Sequence, residues 1–515
     1  MTTDAPRLDG QVVAERPVPG SPRAYAFPAV STHRLDNGLT IMVADLPGRP
    51  LVSASLVIPS GAADEPASDG GATVLAARAL SEGTERYDAI GLIEASERLG
   101  ASLHAEAGWD ALSAGVDVPA DRLEPALELL AEMLLHPTFP ASEVERLRDE
   151  RLNDLLQAKA DPRRRADEAF IGSIYAQSSP YHRPAGGTEA TVAGLTSDHL
   201  RRAYERGLDP ADATIVVAGE LTGQDVPAIV DRLFGGWTAA PGAQPRGSID
   251  DGGAATGRHV RVVHRPGSVQ TEFRIGHPGL PRRIPDFHAV AVMSAILGGL
   301  FNSRLNMKLR EEKGYTYGAG AGFDMRRAAG PFSARAAVNT EVTLPAIVDT
   351  LTELERMRDT RVTDAELASA RDFLVGVFPL RFETAGAVAG ALAGLAVHGL
   401  PLDELIDYRA RIEAVDVDAI ARAAATHLHL DDAAIVMVGD VDAFGSDLEA
   451  AGLGRIIIER DEVPGVGPVP ADETPGPIDE EVETGPTAGA EEPGHEGPAD
   501  EPAPAPSASG DDRGA

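Results

Sequence analysis

Few side chains in this sequence are spaced for chemistry. His427 and His429, in THLHLDD, would point to the same side of a strand, where an imidazole pair can hold a metal ion. No third ligand accompanies them, so a solvated or packed pair is expected. GAGAGF at 318–323 lacks the strand, turn and helix that a dinucleotide fingerprint requires. There is no Gly-x-Ser-x-Gly elbow, and the absence of cysteine excludes thiolate nucleophiles, thiolate metal sites and disulfides. His182, in SPYHRP, suits the ordering of a Pro-rich turn better than catalysis. The stretch GGATVLAARALSEGT, residues 70–84, reads as an amphipathic helix with Val74, Ala77 and Arg78 on one face. Valine and alanine have no lone pair to offer and arginine stays protonated, so this face binds no cation.

The elements that must position any site fall into two segments of similar plan. The first, 26–237, opens with HRLDNGLTIMVAD, where Asn37-Gly38 is a hairpin-turn dipeptide, and closes with ATIVVAGELTGQDVPAIVDRLFGGW. The second, 258–460, opens with HVRVVHRPG and closes with AAIVMVGDVDAFGSDLEAAG. The endings IVVAGE at 215–220 and IVMVGD at 435–440 each read as an apolar strand, a Gly turn and a helix, the mark of an internal duplication. Strands and helices mix without strict alternation. This predicts α+β architecture: two homologous domains, each an antiparallel sheet with helices packed on it. Composition makes 238–257 a flexible linker, and residues 1–25 and 461–515 disordered ends.

The net charge is −34, and residues 461–515 hold fifteen acidic residues and one basic one, so the folded segments are acidic as well. Nucleic-acid binding needs a clustered basic face and is not expected. No apolar run is long enough for a membrane span, and MTTDAPRLDGQ has no signal-peptide pattern. A cytoplasmic protein with no membrane or nucleic-acid partner is the expectation.

The second segment carries the most specific text, ILGGLFNSRLNMKLREEKGYTYGAGAGFD at 296–324, a helical run stopped at Gly314 and followed by a Gly-interrupted strand. With LDNGLTIMV, PSGAADEP at 59–66, SPYHRPAGGTEATVAGLT at 179–196 and VTDAELASARDFLVGVFPLRFET at 362–384, it resembles the pitrilysin/insulinase family of zinc metallopeptidases. The likeness is strongest to bacterial two-domain subunits and the mitochondrial processing peptidase. That family carries His-x-x-Glu-His on a helix before a Gly-Thr pair, with the two histidines one turn apart on one ion and the glutamate beside its water. Counted back from Gly83-Thr84, the histidine positions fall on Val74 and Arg78 and the glutamate position on Ala77. The third ligand position maps near Asn153-Asp154, and a lone Asp154 makes no zinc site.

The resemblance also implies an Arg and a Tyr seven residues apart, here Arg310 and Tyr317, that approach a peptide carbonyl at a partner's zinc site. Gly298 and Gly299 match a substrate-contacting loop. The strand ASLHAEAG, with His104 and Glu106, matches the sheet edge on which family members lay extended peptide. The implied protein holds no metal or cofactor itself. It positions peptide for a zinc-bearing homologous subunit, the alternative being a purely structural or binding subunit. A third reading is a peptidase with a rearranged metal site.

Because residues 461–515 have almost no large apolar groups to bury, deleting them is expected to leave the thermal midpoint of the folded chain unchanged. Comparative thermal melts of the full and truncated chains check this, and a drop of several degrees would contradict it.

Overall fold

Apolar alternation in TIMVAD and SASLVI and the β-branched run TIVVAG draw the first segment into one sheet. A computed structural model describes residues 20, 23–253 and 257–460 of the chain. Its first sheet is built from β1 (Val30–Arg34), β2 (Thr40–Asp45), β3 (Leu51–Ile58), β4 (Ser102–Ala107), β5 (Leu112–Pro119) and β6 (Thr214–Gly219), in the order β1-β2-β6-β3-β5-β4. The second contains β7 (His259–His264), β8 (Gln270–Pro278), β9 (Ala319–Phe323), β10 (Pro331–Asn339), β11 (Ala434–Gly439) and β12 (Arg455–Arg460), ordered β12-β7-β11-β8-β10-β9. From the second strand onward the two orders superpose, so the duplication read from IVVAGE and IVMVGD is a repeated sheet. The predicted Asn37-Gly38 turn closes the β1–β2 hairpin, with Gly38 at φ +94°.

The sheets are mixed rather than purely antiparallel. β6 runs parallel to β2, and β11 and β12 run parallel to β7. Each closing strand arrives after a long helical excursion and enters the sheet beside the opening strand in the same direction. The other ladders are antiparallel.

One helix from each half packs on the sheet of the other half. Helix α3 (Pro162–Ile174) belongs to the first half, follows α1 (Ala72–Ala79) and α2 (Ala141–Ala160), and lies across β8 and β11 of the second sheet. Ala166, Ala169, Phe170 and Ile174 enter one apolar cluster with Val263, Ala434, Val436 and Val438. Helix α4 (Ala385–His398), AGAVAGALAGLAVH, crosses in the other direction and lies on β3 and β6. Its apolar, small-residue surface suits a helix covered on most sides. At β8, a Cβ on Gly276 would lie 1.9 Å from the carbonyl oxygen of Phe332 and 2.9 Å from the Phe170 ring. Only glycine leaves room there for both the strand and α3.

Ion pairs reinforce the crossing. Arg274 on β8, almost fully buried, donates to Asp167 of α3 at 2.6 Å and to Glu272 at 2.8 Å. Arg165 of α3 and Arg261 of β7 both hold Glu459 of β12. The linker is fastened as well. Over 238–253 it has no helix or strand, as its composition suggests, but it is not free. The Gln244 amide donates to the Arg206 carbonyl at 2.9 Å, the Arg246 guanidinium to the Val397 carbonyl at 3.2 Å, and the Ala329 amide to Asp251 at 2.8 Å.

His427 and His429 do not share a strand. His427 ends the helix Val417–His427 and pairs with Asp286 at 2.8 Å, while the His429 amide donates to His277 Nε2 at 3.0 Å. The expectations of disorder at both ends fall largely on residues 1–19, 21–22 and 461–515, which lie outside the described residues. Among the described residues no single helix is long and apolar enough to cross a membrane.

The exchanged helices make each half's core incomplete without the other, so the chain is expected to unfold in one transition. Phe170→Ala, which empties the contact between α3 and the second sheet, should cost about 3–5 kcal/mol and lower the midpoint for both halves together. Calorimetry checks this; two separate transitions, with only one shifted, would contradict it.

Candidate functional site

Helix α1 starts where two glycine pairs meet. Gly71 adopts φ +97° and Gly187 φ +74°, and a Cβ on Gly187 would lie 2.2 Å from the Gly70 carbonyl oxygen. The GG of SDGGA and the GG of PAGGTEA are therefore two halves of one backbone contact. Buried Glu65 accepts from the Gly71 amide at 2.9 Å and the Thr73 amide at 2.5 Å, occupying donors that the first turn of α1 leaves open. Burial pushes its carboxyl above the usual range, against those two amides and the Arg183 guanidinium 3.5 Å away. His182 holds the same loop, its Nδ1 lying 2.9 Å from the Tyr175 carbonyl oxygen, which fits the turn-ordering role expected of it.

This scaffold presents a face with no metal chemistry. Val74 is half-buried, Ala77 is fully buried and Arg78 is exposed. Arg78 reaches across to α2 and pairs with Glu150 at 2.9 Å, and the other oxygen of Glu150 accepts from Arg146 at 2.6 Å. Arg146 also binds Glu82 and Glu143, at 2.7 and 2.8 Å. One turn further along α2, Asp154 is gripped in bidentate fashion by Arg164 of α3, at 2.8 and 3.0 Å, and by Arg151. Arg164 foremost, then Arg151, holds the Asp154 carboxyl below its ordinary range; Arg146, then Arg78, does the same for Glu150. Four guanidinium groups thus surround two carboxylates where three neutral or anionic donors would have to converge. The donor set does not fit zinc.

Among the described residues, one group has metal-ligand spacing: His264, Asp440 and Asp442. The Val441 amide donates to His264 Nδ1 at 3.2 Å, which places the ring proton on Nε2, 3.6 Å from Asp442. That nitrogen has no lone pair for a cation, and Asp440 already accepts from the Gly267 and Asp442 amides.

Arg310 and Tyr317 lie on either side of the Gly314 turn (φ +64°) and line one open cavity of about 440 Å³. The segment Asn306–Glu312 winds as a π-helix rather than the regular helix that its residues suggest, and its last turns are closed by the Lys313 amide on the Lys308 carbonyl at 3.2 Å. Such widened turns recur at functional sites. Asn306 ties the cavity's two walls together, accepting from the Ala319 amide at 2.8 Å and donating to the Leu300 carbonyl at 3.1 Å. The Arg310 guanidinium stacks 4.5 Å over the Phe301 ring, and Tyr317 is 94% exposed, its hydroxyl free to meet a ligand.

The other expected residues lie elsewhere. Gly298 backs β9, where a Cβ would fall 2.1 Å from the Ala321 nitrogen, and its neighbour Gly299 is exposed. His104 and Glu106 project from β4, the edge strand of the first sheet beside α1, on its exposed face; His104 is 4.0 Å from Asp117. Adjacent residues of α3 join the two main places, since Arg163 lines the Arg310–Tyr317 cavity and Arg164 holds Asp154. Arg163, Arg335 and Glu150 escaped the sequence reading. For the first of them, the run PRRRAD at the start of α3 was the available signal.

Comparison with known proteins places these features in a family. Residues 40–188 match the family model described as Insulinase (Peptidase family M16), and residues 194–374 match the Peptidase M16 inactive domain. An uncharacterized zinc protease of Streptomyces coelicolor is 25% identical over 75% of this chain and 85% of its own length. The non-peptidase homolog YmxG of Helicobacter pylori is 23% identical over 72% of this chain and 84% of its own. Among solved structures, a peptidase M16 inactive domain from Pseudomonas fluorescens superposes with a TM-score of 0.74 at 25% identity, covering 80% of this chain and 98% of that one.

Since α1 and α2 offer no converging ligands, the purified chain is expected to retain no stoichiometric zinc after dialysis. Elemental analysis checks this. About one zinc per chain, lost on Asp154→Asn, would overturn it.

Proposed function

This chain belongs to the insulinase family, peptidase family M16, and we propose that it is a non-catalytic member that positions peptide for a zinc-bearing homologous subunit. One observation carries the reading. The α1 face presents valine, alanine and an ion-paired arginine in place of metal ligands, while Arg310 and Tyr317 stand together on an open cavity. A scaffold has no need of an exposed tyrosine beside an arginine. A peptide site uses both.

The chemistry asked of the pair is modest. The guanidinium presents a planar fork of donors and the phenol a single O–H, and together they fix a peptide carbonyl and favour the charge that develops on its oxygen. Bond cleavage belongs to the partner, because this chain supplies no group that activates water at α1. The names of its relatives support a family in which peptidases and non-peptidase homologues coexist. We propose a cytoplasmic heterodimer or higher assembly with that subunit.

Tyr317→Phe removes one donor and keeps the ring, so assembly should persist while turnover of the complex falls by about 3 kcal/mol, roughly a hundredfold. Arg310→Lys should also be costly, because a point charge cannot reproduce the planar fork. The measurement mixes each variant with the zinc-bearing homologue, checks the complex by size and follows peptide cleavage. Wild-type rates from an intact complex carrying both substitutions would leave a purely structural subunit as the correct reading.

A further inference from the structure

The cavity beside Arg310 is basic in a chain whose net charge is −34. Arg163, Arg274, Arg310 and Arg335 line it, against a single acidic residue, Glu272. That acid is already committed, since it accepts from Arg274 at 2.8 Å, and Arg274 is also paired with Asp167. Among the described residues Arg310 pairs only with its neighbour Glu311, at 3.6 Å, on a half-exposed side chain. Arg163 and Arg335 are exposed and make no side-chain ion pair among the described residues. Elsewhere in the structure the arginines of α2 and α3 are held in networks with carboxylates.

Arg335 stands apart from those networks. It lies directly across the β10–β8 ladder from Arg274, whose charge Asp167 and Glu272 already balance, so among the described residues no carboxylate is left over for Arg335. Its other cross-strand neighbour is Gly320 on β9, which places no side chain beside it. An anion bound over this part of the sheet would meet the uncommitted guanidinium forks of Arg335 on β10 and Arg163 on α3. At the rim stand two large exposed aromatic side chains, Phe301 (69%) and Tyr317 (94%), which suit a chain of peptide rather than a bare inorganic ion.

We infer that this cavity selects acidic peptides, holding a peptide carboxylate on Arg335 and Arg163 while Arg310 and Tyr317 engage the backbone beside it. The inference rests on the peptide-positioning reading above and adds the substrate class to it. Guanidinium–carboxylate pairs supply both the attraction and the geometry. The chain carries a net charge of −34, which disfavours such peptides in general, so the preference is local to these residues. The carboxylate comes from an Asp or Glu side chain or from the peptide's own C-terminus, and the two sources are separable.

The test uses the full chain and fluorescence anisotropy with three labelled peptides of one sequence: a Glu peptide amidated at its C-terminus, its Gln counterpart, also amidated, and the Gln peptide with a free carboxylate. The Glu peptide is expected to bind at least about tenfold more tightly than the amidated Gln peptide. Added salt should shrink the difference, and Arg335→Gln should abolish it without lowering the thermal midpoint. Arg335→Glu should turn the preference toward a Lys peptide. A gain only for the free C-terminus would keep the carboxylate site and assign it to chain ends. Equal binding of all three peptides would overturn acid selectivity and leave peptide positioning intact. No binding of any would overturn both.

Discussion

The exchange of helices between the two halves is the constraint on which the rest depends. A sheet with one face on its own helices leaves the other face apolar, and here each half covers that face of its neighbour with a single helix. The arrangement explains residues that look unremarkable in the sequence. Gly276 must be glycine because Phe170 and the Phe332 carbonyl share the space its side chain would fill. The linker, Gly-rich and without regular structure, is fastened because the joined halves offer it backbone partners along its length.

Scaffold and chemistry have parted at α1. Everything that seats the helix remains: the paired glycines at 70–71 and 186–187, the buried Glu65 across its first amides, and Arg183 behind it. These contacts are made by backbone and by buried groups, and changing them would cost folding. Arg78, the exposed member of the ligand face, is under no such constraint. Once its ligands were absent, a cation would have been repelled by Arg78, and the acids of α2 are satisfied by arginine instead. A metal site is several donors aimed at one point, whereas an ion-pair network needs only near neighbours of opposite sign.

The sequence revealed elements whose signal is local. Asn37-Gly38, the apolar endings of both halves and the Gly314 stop all appear where periodicity and turn chemistry put them. The loss of metal ligands was legible for the same reason, as it depends only on residue type on one helix face. What stayed hidden depends on distant pairing. The parallel ladders at β6, β11 and β12 follow from where the chain re-enters the sheet. His427 and His429 suggested a strand by their spacing, but the preceding helix runs through His427. The π-helical winding at Asn306–Glu312 begins at Asn306, which is tied to Ala319 and Leu300, and high helix propensity there gives no sign of it.

Helix α3 brings these threads into one place. Its apolar side covers the second sheet, Asp167 neutralises the buried Arg274, Arg164 closes on Asp154, and Arg163 turns to the cavity of Arg310 and Tyr317. Consecutive residues of an α-helix point about 100° apart, so Arg163 and Arg164 cannot serve the same site. They serve two, the ion-paired face of α1 and α2 and the cavity of Arg310 and Tyr317. Packing fixes the helix, and the helix in turn fixes how far apart those two places lie. In the proposed role that distance matters, because a peptide seated against Arg310 would extend toward a partner's centre in a fixed direction. The packing that joins the halves would then also be what lets a chain without metal ligands at α1 aim a peptide.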